Sequence, residues 1–231
     1  MYKYDTHVHT SEASACARST GPEMARKYKE LGYDGIFVTN HFFNGNTSVD
    51  RHLPWDKWVD GYFAGYENAK EEGDKIGLSV FFGFEYHFGE GSEVLVYNLS
   101  REYIKEHDEM CRIPANDFIN LVHDGGGFIV QAHPFREADY IKMIRLYFDG
   151  MDGVEVINTS HKDEKFNERA YWYAKSYNYP MTSGSDSHST SYIYGGGILV
   201  DEPFKCEADY LDALKNGKIR ALLGRTEKYI V

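Results

Sequence analysis

Five apolar runs in this sequence end alike, each closing on histidine or an acid. They are Asp5-Thr6-His7-Val8-His9, Phe37-Val38-Thr39-Asn40-His41, Phe81-Phe82-Gly83-Phe84-Glu85, Ile129-Val130-Gln131-Ala132-His133 and Thr182-Ser183-Gly184-Ser185-Asp186-Ser187-His188. Short apolar runs bounded by polar residues read as buried strands. Helical patterns lie between most of them, the signature of parallel strands linked by crossover helices. In an α/β barrel the carboxyl ends of such strands converge on one face. The repeated ending therefore gathers His7, His9, His41, Glu85, His133, Asp186 and His188 into one pocket, although the outermost pair is 181 positions apart.

Strands are predicted at 2–9, 35–40, 78–85, 94–99, 128–132, 154–157, 180–184 and 195–200, with helices at 21–31, 54–77, 116–123, 138–148, 164–177 and 207–216. Only eight residues separate the run ending at Glu85 from the one starting at Val94. That is too short for a crossover helix, so a loop joins them and the alternation breaks there. No internal repeat and no linker rich in Pro or Ser divides the chain, and 231 residues at 42% hydrophobic content can bury a sizeable core. One domain spanning 1–231 is expected.

The formal charge is −11, from 25 basic and 36 acidic residues, and no basic block could grip nucleic acid unaided. On this ground long nucleic acid is disfavoured as a partner and a small phosphorylated substrate is expected. Cys16, Cys111 and Cys206 are far apart, which suits a reducing compartment. No apolar stretch is long enough for a membrane span or a signal peptide, so the expectation is a cytoplasmic protein without a membrane partner.

In a strand, Asp5, His7 and His9 point to the same side. Two imidazoles so placed can reach one divalent ion, with Asp5 supporting them rather than binding. Seven donors exceed the three or four of a single zinc site. The count asks for two or three ions.

Taken together, Asp5-x-His7-x-His9-Thr10, Thr39-Asn40-His41, Gly83-Phe84-Glu85, Ala132-His133-Pro134 and Gly184-Ser185-Asp186-Ser187-His188 resemble the polymerase and histidinol phosphatase (PHP) superfamily, in its motif order and over nearly the whole chain. The resemblance implies a distorted (β/α)7 TIM-like barrel holding up to three metal ions. It gives the first ion His7, His9, Glu85 and Asp186, the second Glu85 and His133, and the third His41 and His188. Where many members carry His or Asp after the first motif, this chain has Thr10-Ser11-Glu12-Ala13-Ser14, which makes Glu12 the expected ligand and Ser14 its competitor. Glu93 stands where many members begin the next strand with His, and His87 competes nearby. Carboxylates in place of imidazoles shift preference from zinc toward manganese or iron(II). Arg18 and Arg136 are candidate planar donors to a phosphate, and Asn158 and His161 are candidate substrate contacts. The expected function is a metal-dependent phosphoesterase acting on a small phosphorylated metabolite through a metal-activated water. The alternatives are an amide or cyclic ester hydrolase with the same cluster, and a non-catalytic module stabilised by metal.

Overall fold

The structure, a computed structural model, describes residues 1–225 and 228–230. Strand β1 (Tyr2–Val8), helix α1 (Gly21–Glu30), β2 (Gly35–Val38), α2 (Trp55–Ile76) and β3 (Ser79–His87) form a parallel three-stranded unit with crossover helices. Helix α1 starts where Thr20 and Glu23 exchange capping hydrogen bonds and Pro22 presets the first turn. Helix α2 stops at Gly77, whose φ of 73° is left-handed.

Strand β4 (Glu93–Tyr97) runs antiparallel to β3 and, after α3 (Arg101–Glu106) and α4 (Ala115–Asp124), antiparallel to β5 (Phe128–Gln131). Strand β6 (Gly153–Asn158), α5 (Lys165–Tyr177) and β7 (Met181–Gly184) restore parallel pairing. The barrel then closes on itself. Asp186 N donates to His7 O at 2.8 Å and His9 N to Ser187 O at 2.9 Å, stitching the end of β7 to β1. This is the distorted seven-stranded barrel expected, with β4 as its reversed strand.

The remaining elements extend one edge. Strand β8 (Ile198–Val200) lies antiparallel to the first residues of β1 and continues, through α6 (Glu207–Lys215), into β9 (Ile219–Leu223) and β10 (Lys228–Ile230). At Gly197, with φ 108°, a Cβ would fall 2.1 Å from the Tyr4 carbonyl oxygen, so a side chain there would force the two strands apart. Buried Tyr4, Phe37, Phe81, Tyr97 and Phe128 pack with Phe204 and Tyr210 in one aromatic cluster. That cluster fills the barrel away from the strand ends and leaves those ends for polar side chains.

Two local readings are corrected. Between Asp5 and Val8 the pairing with β2 slips by one residue, and the bulge reverses the alternation of faces. Asp5 consequently points away from the two imidazole rings, although its carboxylate still accepts from His7 N at 3.1 Å. Its carboxylate accepts hydrogen bonds from Tyr28 Oη of α1 at 2.8 Å and from Ser185 N at 3.0 Å, and it fastens the barrel seam. Residues 138–148, expected to be a helix, form neither helix nor strand. Their backbone groups are claimed from outside: Lys142 N donates to Glu90 O, Gln131 Nε2 to Arg145 O, and Tyr147 N to Gln131 Oε1. A chain whose amides and carbonyls are already paired gains nothing from an i→i−4 ladder.

Candidate metal centre

Glu85 lies at the middle of the strand-end cluster. Its Oε1 is 2.9 Å from His133 Nε2 and 3.4 Å from His7 Nε2, and its Oε2 is 2.7 Å from His41 Nδ1 and 3.6 Å from His9 Nε2. Asp186 Oδ1 stands 3.3 Å from His9 Nε2, 3.6 Å from His7 Nε2 and 3.5 Å from His188 Nδ1. Glu93 reaches the same group, 3.6 Å from His133 Nε2 and 3.9 Å from His41 Nδ1. It can do so because β4 is reversed, which brings the strand's first residue opposite His87 at the end where the parallel strands finish. Four overlapping trios, His9–His41–His188, His7–His9–Glu85, His7–His133–Asp186 and His41–Glu85–Glu93, each hold donor atoms within 4.8 Å of one another.

Two features show that this donor set suits cations. His7 Nδ1 is 2.9 Å from Glu155 Oε1 and His9 Nδ1 is 3.0 Å from Ser14 Oγ, so both Nδ1 atoms have acceptors for their protons. Their Nε2 atoms meet at 3.0 Å, an approach that requires a proton or a metal ion on one of them. Second, His41 Nδ1 and Glu85 Oε2 are buried 2.7 Å apart without meeting in hydrogen-bond geometry, and neither makes another hydrogen bond, so both keep donor capacity that an ion could use. The backbone is also strained here, with His133 at φ 27° and Asp186 at φ 55°. Residues held in such conformations cost on the order of 1–3 kcal/mol and cluster at functional sites.

Electrostatics follow from this crowding. Burial opposes a charged His7 ring, but Glu155, Asp186 and Glu85 outweigh it and hold its pKa well above the ordinary value. Burial likewise opposes ionised Glu85, yet His41 and His7 keep its carboxyl well below the usual range. Burial, then the Glu85 charge, pushes Glu93 up to about 7. A carboxyl raised on folding contributes stability that is complete below its unfolded pKa and is lost as pH rises through the folded value. In metal-free protein, Glu93→Gln is therefore expected to gain on wild type in thermal stability between pH 5 and pH 8, across the shift to about 7. Parallel melting curves of the two chelator-treated proteins check this, and a pH-independent difference would remove Glu93 from the cluster.

The other expected residues divide. Glu12 faces away: its carboxylate accepts from Gly21 N at 2.9 and 3.1 Å at the start of α1, where the helix's unpaired amides favour an anion. Ser14 takes the place beside the histidines, accepting from His9 Nδ1 and His41 N at 3.0 Å and donating to Asn40 Oδ1 at 2.9 Å. His87 Nδ1 accepts from Gly89 N, and the ring joins none of the four trios. Arg136 enters the centre, pairing with Asp186 and donating to Ser160 Oγ at 2.8 Å. Arg18 is exposed and adjoins the centre through its amide, which donates to His188 O at 2.7 Å.

Asn158 and His161 act inside the protein rather than at its surface. Asn158 Nδ2 donates to Glu155 Oε2 at 3.0 Å and Asp186 Oδ2 at 3.3 Å, while His161 joins Asn167 Oδ1 at 2.8 Å and Arg136 Nε at 3.3 Å. Burial, followed by the Arg136 charge, lowers the His161 pKa to about 3, so the ring is neutral. Glu155 escaped the sequence reading. Its signal was an acid in the middle of the apolar run Val154-Glu155-Val156-Ile157, a position that tolerates a charge only when it is paired.

The fold and the cluster together define an α/β barrel whose strand ends carry a set of side chains able to ligate metal. A family model described as PHP-associated matches residues 164–219, the segment that supplies Asp186 and His188. A search of curated proteins finds no match. Among solved structures, the chain is similar to a two-domain protein from Bacteroides vulgatus containing a predicted PHP-like metal-dependent phosphoesterase, with a TM-score of 0.73 at 16% identity over 98% of this chain. It is also similar to a protein from Bifidobacterium adolescentis assigned as a metal-dependent phosphoesterase, with a TM-score of 0.56 at 19% identity over 80% of this chain and 87% of the other. A third is endonuclease Q in complex with a 27-mer duplex bearing an abasic lesion at the active site, with a TM-score of 0.60 at 14% identity over 93% of this chain. The chain spans 66% of the Bacteroides protein and 56% of endonuclease Q.

The resemblance to the PHP superfamily read from the strand-end motifs agrees with the family match over residues 164–219 and with the fold of these neighbours, two of which are described as metal-dependent phosphoesterases. One expectation is overturned. Net charge and the lack of a basic block are grounds for setting long nucleic acid aside, but endonuclease Q, whose fold is similar to this chain's, is found in complex with a DNA duplex. Charge counted over a whole chain does not describe the field at a mouth that bound cations dominate. No helix among the described residues is long and apolar enough to cross a membrane.

Proposed function

We propose that this protein is a metal-dependent phosphoesterase in which His7, His9, His41, Glu85, Glu93, His133, Asp186 and His188 hold two or three divalent ions, with manganese, iron and zinc as candidates. The observation that carries the proposal is the convergence of these donors around Glu85 in four overlapping trios. Divalent ions in such a site supply the Lewis acidity that makes water a nucleophile near neutral pH and that stabilises charge on a phosphoryl group. Both Glu85 oxygens face different histidines, the arrangement required of a carboxylate shared between ions. Ser14 and Glu155 keep the His9 and His7 Nε2 atoms as lone-pair donors. Arg136 brings a planar cation to the edge of the cluster beside Asp186, where its fork suits a phosphate oxygen pair. Mixed imidazole and carboxylate donors accept any of the three metals, and Glu93 in place of an imidazole leans toward the harder ones.

Phosphate esters of small metabolites are the first substrate class, supported by the likeness to PHP-like phosphoesterases and by a single guanidinium at the cluster. Nucleic acid is the second, supported by the likeness to endonuclease Q. Protein purified with its metal content measured, then assayed with Mn²⁺, Fe²⁺ or Zn²⁺ for phosphate release from a monoester panel and for cleavage of an abasic-site duplex, decides between them. Release from monoesters is the expected result. A metal-loaded protein inert on every phosphate ester, duplex included, would overturn the proposal.

A further inference from the structure

Glu155 is fully buried on β6, yet each of its carboxylate oxygens is spoken for. Oε1 accepts from His7 Nδ1 at 2.9 Å, and Oε2 accepts from His133 N at 3.0 Å and from Asn158 Nδ2 at 3.0 Å. The same Asn158 amide reaches Asp186 Oδ2 at 3.3 Å. One carboxylate is thereby tied to three cluster residues drawn from three different strand ends: His7 after the β1 bulge, His133 after β5 and Asp186 after β7. The contact with His7 exists because position 184 lacks a side chain. A Cβ on Gly184 would lie 2.6 Å from Glu155 Oε1 and 2.5 Å from His7 Cβ.

Resting on the reading of this cluster as a metal centre, we propose that Glu155 is its positioning residue, which fixes His7 as an Nε2 donor and holds the strained backbone of His133 and the side chain of Asp186 in register with it. The argument is one of donor counting. All three groups facing Glu155 are N–H donors, so only a group with acceptors on both atoms satisfies them. A histidine whose Nδ1–H is held by a carboxylate has its tautomer and ring orientation set, and its Nε2 made more basic, before any ion arrives. His9 is held differently, by the neutral Ser14–Asn40 pair, and His41 and His188 make no contact with Glu155. The influence of Glu155 therefore falls on the His7–His133–Asp186 side of the cluster and spares the other.

Glu155→Gln keeps the shape but turns an NH2 toward a donor, and it is expected to weaken metal binding about 10–100-fold, the usual cost of losing such a partner. Chelator competition with Zn²⁺ and with Mn²⁺ measures this directly, and the stoichiometry should fall while ions held by His41 and His188 persist. In metal-free protein at a pH alkaline enough for a neutral His7 ring, ¹⁵N NMR of the histidine rings reports the tautomer: His7 carries its proton on Nδ1 in wild type and loses that preference in Glu155→Gln, with His9 unchanged. Gly184→Ala disturbs the same contact without altering Glu155 and should reproduce the His7 signal change if Glu155→Gln folds poorly by circular dichroism. Unchanged metal affinity together with an unchanged His7 tautomer in a folded variant overturns the assignment. A wild type that binds no divalent ion would instead count against the proposed function, and the NMR comparison would still decide the role of Glu155.

Discussion

Replacing Glu85 by alanine is expected to lower phosphoester hydrolysis by well over about 100-fold, more than the roughly 10–100-fold that follows loss of a group one step removed from a metal. Glu85 touches His7, His9, His41 and His133 at 3.6 Å or less, so its removal takes an anion from the middle of four imidazoles. The rings would still offer lone pairs, but the carboxylate whose two oxygens face different histidines, and the negative charge it sets against bound cations, would be gone. Glu85→Gln retains volume, but its NH2 cannot bind an ion and must face a histidine, so it should lose nearly as much. Folding should survive in both, since the buried charge belongs to the cluster and the aromatic packing beneath it is untouched. Steady-state rates, metal content and circular dichroism of both variants provide the check. A Glu85→Ala protein with full metal content and near-normal turnover would remove Glu85 from the centre.

How far this could be read without coordinates depends on what each residue's position is determined by. His7, His41, Glu85, His133, Asp186 and His188 were legible because each ends an apolar run, and barrel geometry gathers strand ends whatever lies between them. Glu93 was legible through the resemblance, as the residue standing where many PHP members begin the next strand with His. Asp5 was misplaced because a one-residue bulge reverses every face assignment upstream of it, and no local composition announces a bulge. Glu12 failed for a related reason: a loop carboxylate has several competing donors within reach, and the start of α1 was closer than the cluster. Residues 138–148 carry a helical spacing that lost to Glu90 and Gln131, partners 14 residues or more away in sequence from the groups they engage. Glu155 shows the converse, where a buried acid in a strand is itself a signal of a tertiary partner.

Stripping the ions with a chelator should abolish hydrolysis and restore it on re-addition of metal, and it should also move the melting temperature. An ion that binds only the folded chain stabilises it by about 2.7 kcal/mol when present at 100 times its Kd. The stripped cluster keeps its buried imidazoles and carboxylates crowded around Glu85 with only protons to balance them, so the metal-free protein has the more to lose. Its losses are pH-dependent. His7 and His41 are held protonated by neighbouring carboxylates well above their ordinary pKa, against the opposing effect of burial, and this stabilisation is present at low pH and fades as pH rises through the raised values. Glu93, raised by burial to about 7, fades in the same direction. Protons therefore stand in for the ions at low pH and cease to do so as they dissociate. The melting-temperature gain from Mn²⁺ or Zn²⁺ should accordingly grow from pH 6 to pH 8, in step with the weakening of proton competition for the same donors. Differential scanning fluorimetry of stripped protein with and without metal at each pH measures it. A gain that is flat across this range, or absent while hydrolysis persists after verified metal removal, would mean that these histidines and carboxylates serve the barrel's packing and not a metal.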